Sequence, residues 1–299
     1  MPAVSVVIPS FNRGHCIRAC IESVLAQSFQ DLEVIVVDDA SNDDTRGQVM
    51  SVDDPRVRYI AHERNRGGSA ARNTGIQASH CEFVAFLDSD DLWAPRKLEK
   101  QLQLLQVKGE EYGFVYAWCI ANTPDGKEVW RMHKTIDGLA AVELLVENCV
   151  GTFSGVVARR SVLTAVGGLD EKMRSCQDWD LFVRLNSVTK VCCVEEYLVI
   201  YLQNSNDRHR ISANPASIVM GHRRMLQKLE MRYPAMPAEA RAGSLRGFSR
   251  AFSAAGSVGD VLRTGMRMIR AVPSVANFLI LLRMLAGSMK RSLTRNLGY

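Results

Sequence analysis

One pattern repeats through the first ninety residues, and it limits the possible folds more than any other feature of the chain. The β-branched run "VSVVIP" (Val4 to Pro9) precedes a segment with Ile17, Cys20, Ile21, Val24 and Leu25 at helical spacing. "LEVIVVDDAS" (Leu32 to Ser41) is a second such run, followed by the helix-like "DDTRGQVMSV". "VRYIAH" reads as a third strand and "CEFVAFLDSD" as a fourth, with the small-residue helix "GGSAARNTGIQAS" between them. Short β-branched runs read as buried strands, and apolar residues at a 3.6 period read as helices. Their alternation implies right-handed βαβ crossovers and a parallel sheet. Ligands of such sheets bind at the carboxyl ends of the strands. Pro9 to Asn12, Asp38 to Ser41 and Asp88 to Asp91 fall at those ends. The spacing predicts three strand ends converging on one crevice.

The stretch "FVAFLDSDDLWAPRKL" puts Asp88, Asp90 and Asp91 at the mouth of the fourth strand. Like charges this close repel, more so as water is excluded. In extended backbone Asp88 and Asp90 point the same way. Two such carboxylates suit magnesium or manganese, ions that share their shell with water and substrate phosphates. A solvated acidic turn is the plainer alternative.

Beyond Tyr112 the pattern loosens. "GFVYAWCIA" and "EVWRMH" predict a hairpin around "TPDGK", and "TFSGVVARRSVLTAVGGLDE" a strand, a helix and a glycine turn. "SCQDWDLFVRLNS" is helical with Leu181, Phe182 and Leu185 on one face, "KVCCVEEYLVIYLQ" is a strand, and Ser217 to Met231 is a helix. The net charge of +5 is unevenly spread: from Arg241 to Tyr299 the only acid is Asp260, against ten Lys and Arg residues. Eight cysteines without zinc-type spacing, and no signal peptide, imply reduced thiols and a cytoplasmic setting. No uncharged apolar run is long enough to span a bilayer. The absence of a Walker-type loop disfavours a kinase or ATPase, and "IPSFNRGH" is not the glycine-rich basic loop of a sugar-nucleotide pyrophosphorylase. The basic end lacks interleaved aromatics, so no nucleic acid is expected as a partner.

Taken in order, "VSVVIPSFNR", "EVIVVDDASNDDT", "GGSAARNTGI", "FVAFLDSDD" and "CQDWDLFVRL" resemble the inverting family 2 glycosyltransferases over about residues 3–212. The resemblance implies an α/β GT-A fold: a mostly parallel central sheet flanked by helices, with a helical C-terminal extension. It implies a catalytic domain over 1–215, its nucleotide-sugar half 1–110 and its acceptor half 111–215, and a helical, basic region over 216–299. Pro9, Phe11, Asn12 and Asp39 would hold base and ribose, with Asp38 bracing the loop. Arg72 would face the diphosphate or orient the acids. Asp88 would serve the ribose or metal side, Asp90 would ligate Mg2+ or Mn2+, and Asp91 would cap the helix near Pro95. The family's base position falls on "QDWD", where Gln177 replaces the first acid and Asp178 is the candidate base. Asp180 would be structural, paired with Arg184. In "NSNDRHRIS", His209 is a candidate metal ligand, and Arg208 or Arg210 could reach phosphate.

The same resemblance implies a nucleotide-diphosphate sugar donor, UDP or dTDP favoured, and a glycan or lipid-linked acceptor in bacterial cell-surface polysaccharide synthesis. The spanning helices and Gln-x-x-Arg-Trp motif of processive members are missing, which favours one sugar per encounter. A catalytically inactive transferase-like scaffold is the alternative. Two readings of the basic C-terminal helices stay open: contact with the inner face of a membrane, or packing on protein.

Overall fold

The computed structural model describes residues 3–123, 125–203 and 214–296, which cluster into two compact units. The first comprises 3–140, 149–171 and 181–203, and the second 141–148, 172–180 and 214–296.

The first unit is built on a nine-stranded sheet. Its opening half is β1 (Val4–Ser10), β2 (Leu32–Asp38), β3 (Val57–Ala61) and β4 (Phe83–Phe86), in spatial order β3-β2-β1-β4 and all parallel. Helices α1 (Ile17–Leu25), α2 (Thr45–Met50) and α3 (Gly68–Ala78) make the crossovers. All seven residues of β1 are buried, as a parallel strand covered on both faces must be. Val4, Val6 and Ile8 pack with Ile17, Ile21 and Val24 of α1, while Val7 meets α3 across Gly75.

Past β4 the sheet becomes mixed. β5 is Asp91–Trp93, followed by α4 (Lys97–Lys108), β6 (Tyr112–Asn122) and β7 (Glu128–Met132). In the other unit lies α5 (Ala141–Val146), before β8 (Val157–Arg159), α6 (Arg160–Ala165), α7 (Gln177–Asn186) and β9 (Lys190–Leu202). β8 runs antiparallel between β4 and β6, β9 lies parallel to β6, and β5 and β7 add antiparallel pairs. The β6–β7 hairpin and the strand–helix–glycine sequence ending at Gly167 and Gly168 follow the sequence reading. The parallel pairs of the sheet thus lie within β1 to β4 and between β6 and β9, and the other pairs are antiparallel.

The second unit is helical: α5, the first turn of α7, α8 (Pro215–Glu230), α9 (Ala238–Ala254), α10 (Val258–Ala271) and α11 (Val275–Asn296). α8 starts on Asn214, whose side chain accepts from the N–H groups of Ala216 and Ser217, with a proline in the first helical turn. Trp179 stacks on Phe248 at 5.3 Å between ring centres, and buried Asp260 accepts the Arg223 guanidinium at 2.7 Å. Among the described residues no helix is long and apolar enough to cross a membrane.

Candidate active site

The carboxyl ends of β1, β2 and β4 lie side by side because β1 pairs in parallel with both neighbours, Ser10 opposite Asp38 and Val7 opposite Phe86. The loops beyond these ends are tied together. Asn12 donates its N–H to Ser41 Oγ at 2.8 Å and accepts from the Asn42 N–H at 2.8 Å, joining the first loop to the second. Arg13 Nη2 lies 3.6 Å from Asp90 Oδ2, and Cys16 Sγ lies 3.4 Å from Ser89 O, joining the first to the third. Three strand ends do converge.

Asp38 and Asp39 are both buried but do different work. Asp38 accepts from the Ser41 N–H and hydroxyl at 2.9 and 2.6 Å and from the Tyr59 hydroxyl at 2.6 Å, so it braces the loop. Burial and that hydrogen bond together hold the Tyr59 phenol well above its ordinary value. Asp39 takes the Arg66 N–H on Oδ1 at 2.8 Å and the Gly67 N–H on Oδ2 at 2.6 Å. His62 Nδ1 lies 2.7 Å from its Oδ1, and His62 Nε2 lies 2.9 Å from Thr74 Oγ1. Gly67 has φ +93, a conformation that side chains resist, and it turns its N–H toward Asp39 just ahead of α3. One turn into α3, the buried Arg72 forms an ion pair with Asp88, its guanidinium 4.1 Å above the Phe153 ring. The turn into α3 and α3 itself therefore hold the acids that follow β2 and β4, the two strands flanking β1.

The three acids after β4 divide by exposure. The Asp88 and Asp90 side chains are 27% and 22% exposed, whereas Asp91 is fully buried. Asp91 does not cap a helix, as its sequence position suggests. It lies in β5 opposite Tyr201 of β9 and accepts from the Ser154 hydroxyl at 2.5 Å. The same hydroxyl accepts the Asp88 N–H at 3.0 Å. Ser154 is anchored in turn by Trp93, whose indole N–H donates to Ser154 O at 2.8 Å, while Gln101 Nε2 donates to Gly155 O at 2.8 Å. Burial pushes the Cys20 thiol up, and Asp91, Cys16, Asp90 and Asp88 add to it, as expected for a group beneath this loop.

In the second unit, Asp178 sits in the first turn of α7. Its carboxylate takes the Trp179 N–H at 2.7 Å and Asn148 Nδ2 at 3.2 Å. Gln177 Nε2 donates to Met173 O at 3.1 Å. Asp180 is buried and pairs with Lys228 at 2.6 Å, while Arg184 donates to the carbonyls of Val166 and Gly168 at 2.9 and 2.7 Å. Burial, and then Asp178, push the Cys176 thiol up to about 12.

Among the described residues, three that are not glycine have positive φ: Asn12 at 54°, Ala40 at 65° and Cys176 at 58°. Each adjoins a position the sequence marks as functional, beside Phe11, Asp39 and the Gln177–Asp178 pair. Backbone strain of this kind persists where surrounding structure enforces it, commonly at binding sites.

Asp88 and Asp90 offer two hard oxygen donors open to solvent, each beside a guanidinium, and this donor set fits a cation that completes its shell with water and phosphate oxygens. Among the described residues no cluster of three His, Cys, Asp or Glu side chains is placed to hold an ion. His209, Arg208 and Arg210 lie outside the described residues. Sequence reasoning missed Ser154 and Arg13. Arg13 follows directly on "SFN" at the first strand end, a visible signal, but Ser154 is 66 residues from the backbone it holds.

The parallel half-sheet, the mixed extension and the acid-bearing strand ends define a glycosyltransferase of the GT-A class. A Staphylococcus aureus TarS fragment, residues 1–349, in complex with UDP-GlcNAc superposes with a TM-score of 0.68 at 16% identity, over 96% of this chain and 88% of that one. The mannosyltransferase PcManGT from Pyrobaculum calidifontis, in complex with GDP-Man and Mn2+, gives 0.60 at 17%, over 98% and 87%. Residues 5–166 match the family model described as glycosyl transferase family 2, and the chain belongs to that family. It is similar to the Escherichia coli UDP-Glc:alpha-D-GlcNAc-diphosphoundecaprenol beta-1,3-glucosyltransferase WfgD, 42% identical over 102 residues. That match spans 34% of this chain and 40% of WfgD. The putative teichuronic acid biosynthesis glycosyltransferase TuaG of Bacillus subtilis is 33% identical over 160 residues, 53% of this chain and 63% of TuaG.

Proposed function

We propose that the protein transfers one sugar, with inversion at the anomeric carbon, from a UDP- or dTDP-sugar to a hydroxyl of a glycan or lipid-linked acceptor in bacterial cell-surface polysaccharide synthesis. The observation that carries this reading is the hold of α3 and the turn before it on two strand ends, Asp39 through the N–H groups of Arg66 and Gly67 and Asp88 through Arg72. It supports a site for a base at one end and a diphosphate at the other. The UDP-GlcNAc bound by TarS and the acceptor named for WfgD support the donor and acceptor classes.

Three donors already meet the Asp39 carboxylate, and a carboxylate accepts about four hydrogen bonds. One position remains for the ring N–H of a pyrimidine. Pro9, Phe11 and Asn12, at the end of β1, would hold the base and ribose beside it. Asp88 and Asp90 would hold Mg2+ or Mn2+, an ion that when bound neutralises charge on the diphosphate. Arg72 and Arg13 fix those two acids in place. Asp178 acts as general base: it takes the proton of the acceptor hydroxyl as that oxygen bonds to the anomeric carbon. The bond from the anomeric carbon to the diphosphate oxygen breaks with its electron pair, and the nucleoside diphosphate leaves. Gln177 cannot ionise and Asp180 is buried against Lys228, which leaves Asp178 as the base within "QDWD".

The test is a thermal-shift panel of UDP, dTDP and GDP, each with and without Mn2+, beside a transfer assay. Binding to the native state at a hundred times Kd contributes about 2.7 kcal/mol, a shift of several degrees. We expect UDP or dTDP with Mn2+ to give the largest shift. Asp178→Asn is expected to abolish transfer and keep the shift. No shift with any nucleotide would overturn the donor site, and donor binding without turnover by the native protein would return the scaffold reading.

A further inference from the structure

We propose that the outward face of α11 lies on an anionic lipid surface. A helix packed on a protein ordinarily presents its polar side to water. α11 does not. Leu281, Asn277 and Ser288 are buried on its inner side. On the other side Val275, Phe278, Leu279, Leu282, Met289 and Leu293 are exposed, between 46% and 76%. Their spacing of three, four and seven residues gathers them into one stripe along five turns of helix, about 27 Å. Ala286 fills the gap in that stripe and is exposed too. Scattered exposed apolar residues mean nothing, but a continuous stripe marks a surface that something covers.

Charge decides what covers it. Arg283 and Lys290, both exposed and two turns apart, border the stripe along one edge. Among the described residues neither makes an ion pair with an acid, whereas Arg263 and Arg267 are engaged by Asp260 and Glu230. The chain has no acidic residue after Asp260, so nothing on α11 repels a negative surface. α10 adds exposed Leu262 and Met266 together with exposed Arg270. A second copy of the chain would bring the same cations to the interface, and they would repel. An anionic bilayer complements both halves of the pattern, taking the apolar stripe at the acyl boundary and the cations at the headgroups. Arg283 in mid-helix suits a helix lying in the interface plane. This contact is independent of the donor site.

Flotation of the full chain with vesicles of phosphatidylcholine alone, and of phosphatidylcholine with phosphatidylglycerol, tests the proposal. Binding is expected only to the anionic vesicles, weakened but not abolished by salt. Each cation near such a surface is worth roughly a fivefold change in partitioning, so Arg283→Glu with Lys290→Glu should lower binding more than tenfold. Phe278→Ser with Leu282→Ser should do the same. Both pairs are exposed, so the melting temperature and the nucleotide-induced shift should stay at their native values, which separates this contact from the donor site. Equal binding by the native and double-variant proteins would overturn it. So would a concentration-dependent dimer in light scattering that Leu282→Ser dissolves, since a second copy would then own the stripe.

Discussion

Ser154 carries more of the site than its size suggests. Its hydroxyl, fully buried, accepts from the backbone of Asp88 and donates to Asp91. Ser154→Ala therefore deprives two groups of a partner at once, one of them an ionisable carboxyl with no exposure. Leaving buried polar groups short of partners costs about 1–3 kcal/mol. Denaturant unfolding should show a loss of that size for Ser154→Ala. The variant should also bind UDP with Mn2+ more weakly, while UDP alone binds as before, because the loop it releases carries Asp88 and Asp90 rather than Asp39. An equal loss in both titrations would make Ser154 a packing residue only. Asp91 shows why such a residue escapes sequence reading. It belongs to a three-residue strand, too short for any periodicity, and its partner lies 63 residues away.

At the scale of elements, α3 couples the sheet to the site, and its small residues explain how. Ala70 and Ala71 are fully buried, and Gly75 sits so close to β1 that a Cβ there would lie 2.2 Å from Val7 Cγ1. Gly75→Ala must push the helix off the strand, and overpacking of this kind costs about 1–3 kcal/mol. The same displacement carries Arg66, Gly67 and Arg72 with it, so donor affinity should fall along with stability. Val7→Ala in the same chain removes the clashing methyls and should restore much of both, a coupling a double-mutant cycle would measure. Additive losses would mean that the contact is not the cause. This helix was legible in "GGSAARNTGIQAS", as were β1 to β4, because period and composition agreed over each whole segment. Asp39 could be singled out from its place at a strand end, and Arg72 through the family resemblance of "GGSAARNTGI". That the turn into α3 holds Asp39 could not, since it depends on the backbone N–H groups of Arg66 and Gly67, and every sequence has such groups. The antiparallel insertion of β8 between β4 and β6 was equally hidden, because a three-residue strand gives no sign of its neighbours.

For the molecule as a whole, the dependence of stability on pH turns on a lysine. Lys97, at the start of α4, is fully buried. Its ammonium position meets Gln101 Oε1 at 2.7 Å and the face of Trp93 at 3.9 Å, both neutral partners. Burial holds its pKa well below the ordinary lysine value. Unfolding returns it to about 10.4, so between the lowered folded value and 10.4 the unfolded chain binds the extra proton. Stability contributed by this group is complete only above 10.4, and it is lost as pH falls toward the folded value, with a slope of up to about 1.4 kcal/mol per pH unit. The buried thiols of Cys20, Cys119 and Cys192 have raised values and act oppositely, losing stability as pH climbs through the ordinary thiol range. His222, lowered by burial, withdraws stability below about pH 6.5. Comparison of the native chain with Lys97→Met cancels these shared contributions. The variant leaves Gln101 Oε1 without its donor, a cost that does not change with pH. Its unfolding free energy, measured in urea from pH 7 to 9, should therefore gain on the native protein as pH falls, and the gap should narrow steadily as pH rises. Parallel curves would show that Lys97 keeps its proton in the folded state, held there by Trp93 and Gln101 against the cost of burial.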